Sequence, residues 1–342
     1  MNEFALKTLA SQLVSPGKGL LAMDESTGTC NKRFAVLDIP QTEPYRRLYR
    51  ELIITTPSLG EYISGVILYD ETIRQSAADG TPFVKVLQDA EIIPGIKVDI
   101  GAKDLAAHPF EKITEGLDGL RARLTEYYIM GARFAKWRAV FVVGDGIPSV
   151  GCLESNAHAL ARYAALCQEC GLVPVIEPEV LMTGNHSIQR CLSITRAVLH
   201  NVFEQLYEQR VRLDCMLLKT NMVLAGLEFP EQPTLEKVAD ATVECLLESV
   251  PAMVPGVVFL SGGQSCNLAS SRLNLMNVKF KGTLPWMLSF SYARAIQQPA
   301  LDIWRGREEN VKLAQKAIRH RALCNAAATL GRYDALMEGV ST

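Results

Sequence analysis

The chain has 342 residues, 48% of them hydrophobic and 21% charged, with a formal net charge of -2 from 35 basic and 37 acidic residues. These proportions suit an ordinary globular protein, long enough for one large α/β barrel or two medium domains. No basic tract interleaved with aromatics stands out, which argues against nucleic acid as a partner, and no apolar run reaches transmembrane length. The first thirteen residues are mixed and carry Glu3 and Lys7, unlike a secretory signal. Nine cysteines, an odd number, fit reduced thiols in a cytoplasmic setting.

The spacing predicts an opening helix over residues 3–13, stopped by Ser15-Pro16-Gly17. Residues 18–24 read as a strand ending on the carboxylate of Asp24, followed by Glu25-Ser26-Thr27-Gly28. A helix over 45–54 precedes the second apolar run, 63–70, and Gly80-Thr81-Pro82 precedes the third, 92–99. Residues 111–130 read as a helical crossover closed by Gly131. The fourth run, 132–142, holds Lys136, Trp137 and Arg138. Leu160, Tyr163, Ala164 and Cys167 recur at helical spacing, so the Cys167/Cys170 pair reads as helix packing rather than part of a zinc or redox site. The fifth run is 173–180. A long helix over 188–209 leads to the sixth, 215–223, which contains the single lysine Lys219. Thr234 caps a helix with Leu235, Val238, Ala239 and Thr242 on one face. The seventh run, 257–260, enters Ser261-Gly262-Gly263-Gln264, and the eighth, 285–291, enters Tyr292-Ala293-Arg294. A last helix covers about 309–330, and Gly331 can end it.

Eight short apolar runs alternating with helical segments imply parallel strands joined by crossover helices. Eight repeats predict a closed α/β architecture, a (β/α)8 TIM barrel with N-terminal extra helices and a short C-terminal extension. The expected organisation is one domain over 1–342, with a barrel core of about 17–305 and a C-terminal helix and tail over 306–342. A doubly wound open sheet would show Gly-x-Gly-x-x-Gly after the first strand; neither that motif nor a phosphate-binding P-loop is present.

In a barrel the strand ends share one face. Asp24, Lys97, Lys136, Glu177, Glu179, Lys219, Ser261 and Arg294 all fall at or near such ends. A lysine in apolar surroundings tends towards the neutral amine, a nucleophile for carbonyls, so Lys219 is a candidate Schiff-base residue and Lys136 a second cation that would assist it. Imine formation needs an acid and then a base; Glu177 serves if burial raises its pKa. Asp24 is a candidate base for the hydroxyl beyond a breaking carbon–carbon bond. Structural ion pairing with barrel lysines accounts for each carboxylate equally well. Ser261-Gly262-Gly263 can form an anion nest with Arg294 as a clamp, or a plain tight turn. Ser26 and Thr29 could meet a second phosphate with Lys97. The histidines at 108, 158, 186, 200 and 320 form no metal-binding motif, which leaves only dispersed ligands open.

Seven segments carry a resemblance: Gly19-Leu-Leu-Ala-Met-Asp24-Glu-Ser-Thr-Gly28, Pro94-Gly-Ile-Lys97-Val-Asp99, Ala135-Lys136-Trp137-Arg138, Glu177-Pro178-Glu179, Leu217-Leu-Lys219-Thr-Asn221-Met-Val223, Leu260-Ser261-Gly-Gly-Gln264 and Phe290-Ser-Tyr292-Ala-Arg294. In this order, and spread over nearly the whole chain, they resemble class I fructose-1,6-bisphosphate aldolase. The resemblance implies the barrel independently. It also implies reversible cleavage of fructose 1,6-bisphosphate to dihydroxyacetone phosphate and glyceraldehyde 3-phosphate in glycolysis or gluconeogenesis, without cofactor or metal. Sedoheptulose 1,7-bisphosphate and fructose 1-phosphate stay open as substrates beside it. By motif, Lys219 carries the Schiff base, Glu177 is the acid/base for imine formation with Glu179 beside it, Asp24 is the base for cleavage and Lys136 the assisting cation. Ser261, Gly262 and Arg294 fall to the ketone-side phosphate, and Ser26, Arg33, Lys97 and Arg138 towards the other; Thr29, Gly263 and Tyr292 complete the expected substrate-binding set.

The resemblance further implies sugar phosphates as the partners, a homotetramer, and a cytoplasmic setting; a plastid one is open only for a chain given without its transit peptide. Animal members end in a flexible tail with a terminal tyrosine, whereas this chain ends Glu338-Gly-Val-Ser-Thr342 and its last tyrosine is Tyr333. Enamine protonation is therefore expected to be slower or to use another group. Ala293 stands where the best-known members have glycine, and Thr29 replaces a serine with the hydroxyl kept. A barrel isomerase or transaldolase-like enzyme, and a silent scaffold, are the other readings; the intact set Asp24, Lys136, Glu177 and Lys219 argues against the scaffold.

Overall fold

In the computed structural model, which describes residues 2–339, each of the eight apolar runs forms a strand. The helices are α1 (Glu3–Leu13), α2 (Thr27–Ala35), α3 (Glu43–Ile54), α4 (Asp70–Ile73), α5 (Phe83–Asp89), α6 (Leu120–Ile129), α7 (Val150–Glu169), α8 (Ile188–Glu208), α9 (Leu235–Ser249), α10 (Cys266–Lys279), α11 (Arg294–Trp304) and α12 (Val311–Thr329). The strands are β1 (Gly19–Ala22), β2 (Ile63–Leu68), β3 (Ile93–Lys97), β4 (Gly101–Asp104), β5 (Lys112–Glu115), β6 (Phe134–Phe141), β7 (Val173–Val180), β8 (Leu217–Thr220), β9 (Gly256–Phe259) and β10 (Met287–Tyr292). Eight of them close into a barrel in the order β1-β10-β9-β8-β7-β6-β3-β2, with every neighbouring pair parallel. The (β/α)8 barrel expected from the alternation is the observed fold.

Strand periodicity sorts the side chains between two cores. Ala135, Trp137, Ile176 and Leu218 face outward into the layer shared with the helices. Trp137 pairs with Tyr163 of α7 at 5.6 Å between centroids, and the Tyr163 hydroxyl donates to Ala135 O at 2.7 Å. Phe134, Val173, Val175, Leu217 and Val258 point inward with Leu20, Ala22 and Ile67. Leu6, Ala10 and Leu13 of α1 join that inner cluster, so the opening helix plugs one end of the barrel. Room for the Phe134 ring requires glycine at 95, because a Cβ there would overlap the ring.

One expected helix is wrong over its first half. Residues 112–115 form β5, antiparallel to β4, with Gly101 opposite Glu115 and Asp104 opposite Lys112. Gly116 (φ +131°) and Gly119 (φ +67°) break the chain before α6 begins at Leu120. The β-branched pair Ile113-Thr114 favours the strand, and Thr114 is fixed by donating its hydroxyl to Arg138 O at 2.8 Å. The sequence reading also left out α2, which Ser26 caps by accepting from Thr29 N at 3.4 Å. Thr234 caps α9 as expected, accepting from Lys237 N at 3.3 Å. Cys167 is buried in α7, and all nine cysteines are free thiols. No helix among the described residues is long and apolar enough to cross a membrane. The end of the short C-terminal extension, residues 340–342, lies outside the described residues.

Candidate active site

Above the inner apolar layer the same strands turn polar. Lys136 of β6 lies between two carboxylates, its Nζ 2.7 Å from Asp24 Oδ2 and 3.1 Å from Glu177 Oε2. Glu177 of β7 reaches on to β8, where its Oε1 is 3.0 Å from Lys219 Nζ. The result is a row of alternating sign, Asp24–Lys136–Glu177–Lys219, with no side chain in it more than 11% exposed. Register builds the row: β6 and β7 are neighbours, as are β7 and β8, and inward positions recur every second residue. Glu177 Oε2 is buried and meets no donor in hydrogen-bonding geometry.

The electrostatics follow from burial set against neighbours. Burial pushes the Asp24 carboxyl up, but Lys136 and Lys219, with Lys97, outweigh it and hold the group down at about 2. Burial pushes Lys136 down, yet Asp24, Glu177 and Asp99 keep its ammonium well above the usual lysine range. Burial also pushes Glu177 up, and here Lys136, Lys219 and Arg138 win, leaving it below the ordinary glutamate range. The expectation that burial would raise Glu177 is thus overturned by three cations around one carboxylate.

This row forms the floor of a cleft of about 1030 Å³. On one wall Lys97 Nζ is 2.6 Å from Asp99 Oδ1, and Arg138 Nε is 2.5 Å from Glu179 Oε2. Ser26, Thr29 and Arg33 also line the cleft, and Arg33 donates to Gln297 and Gln298 of α11. Arg33 is paired with Glu25, which Arg50 holds from behind at 2.7 Å. On the other wall the Ser261-Gly262 turn meets Arg294, the first residue of α11. Arg294 is exposed and has no carboxylate partner among the described residues, so this wall carries the less compensated positive charge.

A family profile described as "Glycolytic: Fructose-bisphosphate aldolase class-I" matches residues 5–342. The chain belongs to this family. It is 56% identical to the "Probable fructose-bisphosphate aldolase class 1" of Xanthomonas campestris pv. campestris over 329 residues, 96% of this chain and 98% of that one. It is 51% identical to the "Fructose-bisphosphate aldolase, cytoplasmic isozyme" of Cicer arietinum over 336 residues, 97% of this chain and 93% of the other. A solved fructose-bisphosphate aldolase from Plasmodium falciparum, in complex with TRAP and a small-molecule inhibitor, superposes with a TM-score of 0.95 at 46% identity, covering 97% of this chain and 96% of that one. This class I aldolase therefore cleaves fructose 1,6-bisphosphate through a lysine Schiff base.

The cleft of the aldolase gathers most of the residues singled out from sequence, with two exceptions. Tyr292 is fully buried outside it, and its hydroxyl donates to Ala269 O at 3.1 Å, fastening β10 to α10. On β10 Tyr292 follows Ser291, which lines the cleft, and successive strand side chains point to opposite faces, which is why Tyr292 misses it. Gly263 stands behind the Ser261-Gly262 turn, where an added Cβ would sit 3.9 Å from Arg294 Nη2. Sequence reasoning overlooked Glu25, Lys32, Asp99 and Ser291, all of which line the cleft. Ser291 is the most telling: its Oγ is buried without a partner at the cleft wall. Its signal was alternation, since Ser289 and Ser291 interrupt an apolar strand at every second place.

Gly262 is confined twice over. Its φ is +50°, and an added Cβ would collide with Met182 Cε. Gly262→Ala is expected to displace the turn and raise KM for the bisphosphate by roughly tenfold or more, given about 1–3 kcal/mol of backbone strain, with kcat far less affected. Steady-state kinetics check this; an unchanged KM would mean that the turn does not touch substrate.

Proposed function

We propose that Lys219 is the residue that forms the Schiff base, and that Glu177 is the proton carrier of imine formation. The observation that carries this reading is the single carboxylate of Glu177 spanning two lysines, 3.0 Å from Lys219 Nζ and 3.1 Å from Lys136 Nζ. Glu177 starts as a carboxylate and takes the proton of the Lys219 ammonium. The freed amine attacks the ketone carbon, and the proton on Glu177 then goes to the departing hydroxyl of the carbinolamine, which leaves as water. Glu177 is regenerated as a carboxylate and the positive charge moves to the iminium. Lys136 stays charged throughout, held by Asp24 and Glu177, and stabilises the negative charge on either side of it.

Asp24, ionised at neutral pH, accepts the proton of the hydroxyl beyond the breaking bond, and the bond's electron pair flows into the iminium. Ser261, Gly262 and Arg294 hold the ketone-side phosphate, the wall where positive charge is least neutralised. Ser26, Thr29, Lys97, Arg33 and Arg138 face the other phosphate; because Glu25, Asp99 and Glu179 already occupy three of these cations, a phosphate there must compete with carboxylates. Glu179 thus acts by orienting Arg138.

The deciding experiment is incubation with dihydroxyacetone phosphate followed by borohydride reduction and peptide mapping by mass. The expected result is one adduct, on Lys219. An adduct on Lys136 or Lys97 instead would overturn the assignment. Activity is expected to survive chelator, and loss reversed only by added zinc would contradict the Schiff-base route. Sedoheptulose 1,7-bisphosphate belongs to the same reading, since the same two walls offer two phosphate sites.

The chain is read as one domain over 1–342 and as a homotetramer in the cytoplasm. The Cicer arietinum relative is named a cytoplasmic isozyme, and nine free thiols suit a reducing compartment. Light scattering on the eluting protein gives four times the chain mass if the assembly is right.

A further inference from the structure

A second cluster of chemically active side chains lies away from the cleft, where the C-terminal segment folds back on α12. His320 and Cys324 are one helical turn apart, so both face the same side. Glu338, in the 3-10 turn Ala335–Gly339, closes over them. The ligand atoms of the three residues all lie within 4.8 Å of one another. His320 Nε2 is 3.6 Å from Cys324 Sγ and 3.7 Å from Glu338 Oε2. Bonds of about 2.0–2.3 Å at tetrahedral angles put neighbouring sulfur, nitrogen and oxygen ligands of zinc roughly 3.3–3.7 Å apart. Those two separations match that spacing, and the third, between Cys324 Sγ and a Glu338 oxygen, is within 4.8 Å.

From this geometry we propose that His320, Cys324 and Glu338 form a binding site for a thiophilic divalent cation, zinc being the natural occupant of such a donor set. His320 supplies the Nε2 lone pair, Glu338 a carboxylate oxygen, and Cys324 a thiolate whose proton passes to solvent as the metal–sulfur bond forms. The two anionic ligands offset the charge of the cation, Arg321 on the Glu338 carboxylate leaves one positive charge over, and water takes the fourth position. Cys324 is fully buried, while the side chains of His320 and Glu338 are 18% and 19% exposed, so the cation has a route in between the outer two ligands. The carboxylate is already oriented: Glu338 Oε1 accepts from Tyr333 Oη at 2.7 Å, and Arg321 Nη1 lies 2.5 Å from Oε2. Hydrogen-bonded ligands of this kind are the usual support of a metal site. Arg321 also donates to Ser270 Oγ at 2.8 Å and to Cys266 O at 3.2 Å, so the occupied site staples the C-terminal segment to both α12 and α10. None of the three ligands lines the cleft.

Titration of the full chain with cobalt(II) tests the site. The expected spectrum shows one equivalent of tetrahedral cobalt with a sulfur-to-metal charge-transfer band. Cys324→Ser abolishes that band, and His320→Ala and Glu338→Gln each weaken binding by roughly 10–100-fold. Zinc displaces the cobalt and raises the Tm of the parent chain but not of His320→Ala, a partly exposed variant that does not depend on repacking. A charge-transfer band that survives in Cys324→Ser places the cation on another thiol, and absence of saturable one-to-one binding in the parent chain removes the site; either overturns the proposal. Metal-free bisphosphate cleavage is expected to be equal in all three variants, so the outcome is independent of the Schiff-base assignment.

Discussion

Lys219→Met is expected to abolish cleavage, lowering kcat by roughly 10⁴-fold or more, because on the proposed assignment the covalent route loses its nucleophile and no neighbouring group replaces it. Methionine nearly matches the shape of the lysine stem and fits the buried position, where Lys219 is 3% exposed. The remaining row still alternates in sign, since Glu177 keeps Lys136 at 3.1 Å. The variant is therefore expected to fold, to bind the bisphosphate, and to give no adduct on borohydride reduction. Steady-state kinetics, ligand binding and mass mapping check these three outcomes together. Residual kcat within tenfold of the parent chain would remove Lys219 from the mechanism.

Lys136→Met is the more destructive change for stability. It takes from the largely buried Asp24 its ion-pair partner and leaves Glu177 with Lys219 alone, and breaking a buried pair in this way costs about 3–5 kcal/mol. Activity falls as well, by roughly 10²–10⁴-fold, the range for loss of one electrostatic or proton-transfer partner. The pH dependence has a definite sign. Asp24 is depressed from 3.8 to about 2 in the folded chain, so its contribution, about 2 kcal/mol, is fully present above pH 3.8 and is lost as pH falls towards 2. In the variant that depression largely disappears. The stability gap between parent and variant is thus widest at neutral pH and narrows on acidification, which denaturant titrations at pH 7 and pH 3.5 would measure. Lys136→Arg restores the charge and much of the stability without restoring the rate. A gap that widened in acid would show that Lys136 does not hold Asp24 ionised.

The barrel was legible because its strands are covered on both faces and read as mainly apolar runs; residues 173–180 match β7 residue for residue. The charged row proposed to be catalytic was legible for the opposite reason: Asp24, Lys136, Glu177 and Lys219 are charges set in or at the ends of such runs, where charge is out of place unless paired. The hairpin of β4 and β5 was not, because its four-residue strands are too short for periodicity and Glu111 to Glu115 carries helix-forming residues. The partners of the cationic wall were also hidden. Asp99 lies two residues from Lys97 and Glu25 eight from Arg33, but whether such neighbours meet depends on χ angles and loop path that local spacing does not express. The His320–Cys324–Glu338 cluster escaped for a similar reason, since the fold-back of the segment after α12 brings its third member home.

The opening helix gives the barrel a blind end. With Leu6, Ala10 and Leu13 filling the far side of the inner core, Lys219 sits at the bottom of a well with a single rim. Everything that reaches or leaves it passes the same two walls. With Lys219 as the proposed Schiff-base residue, the ketone half stays covalently tethered to the floor after the carbon–carbon bond breaks, while the aldehyde half is free. Departure is then a queue, aldehyde first and ketone second, and in the reverse direction the ketone must enter before the aldehyde. The stopper at the far end leaves one rim for both halves, and the covalent tether decides which half crosses it first.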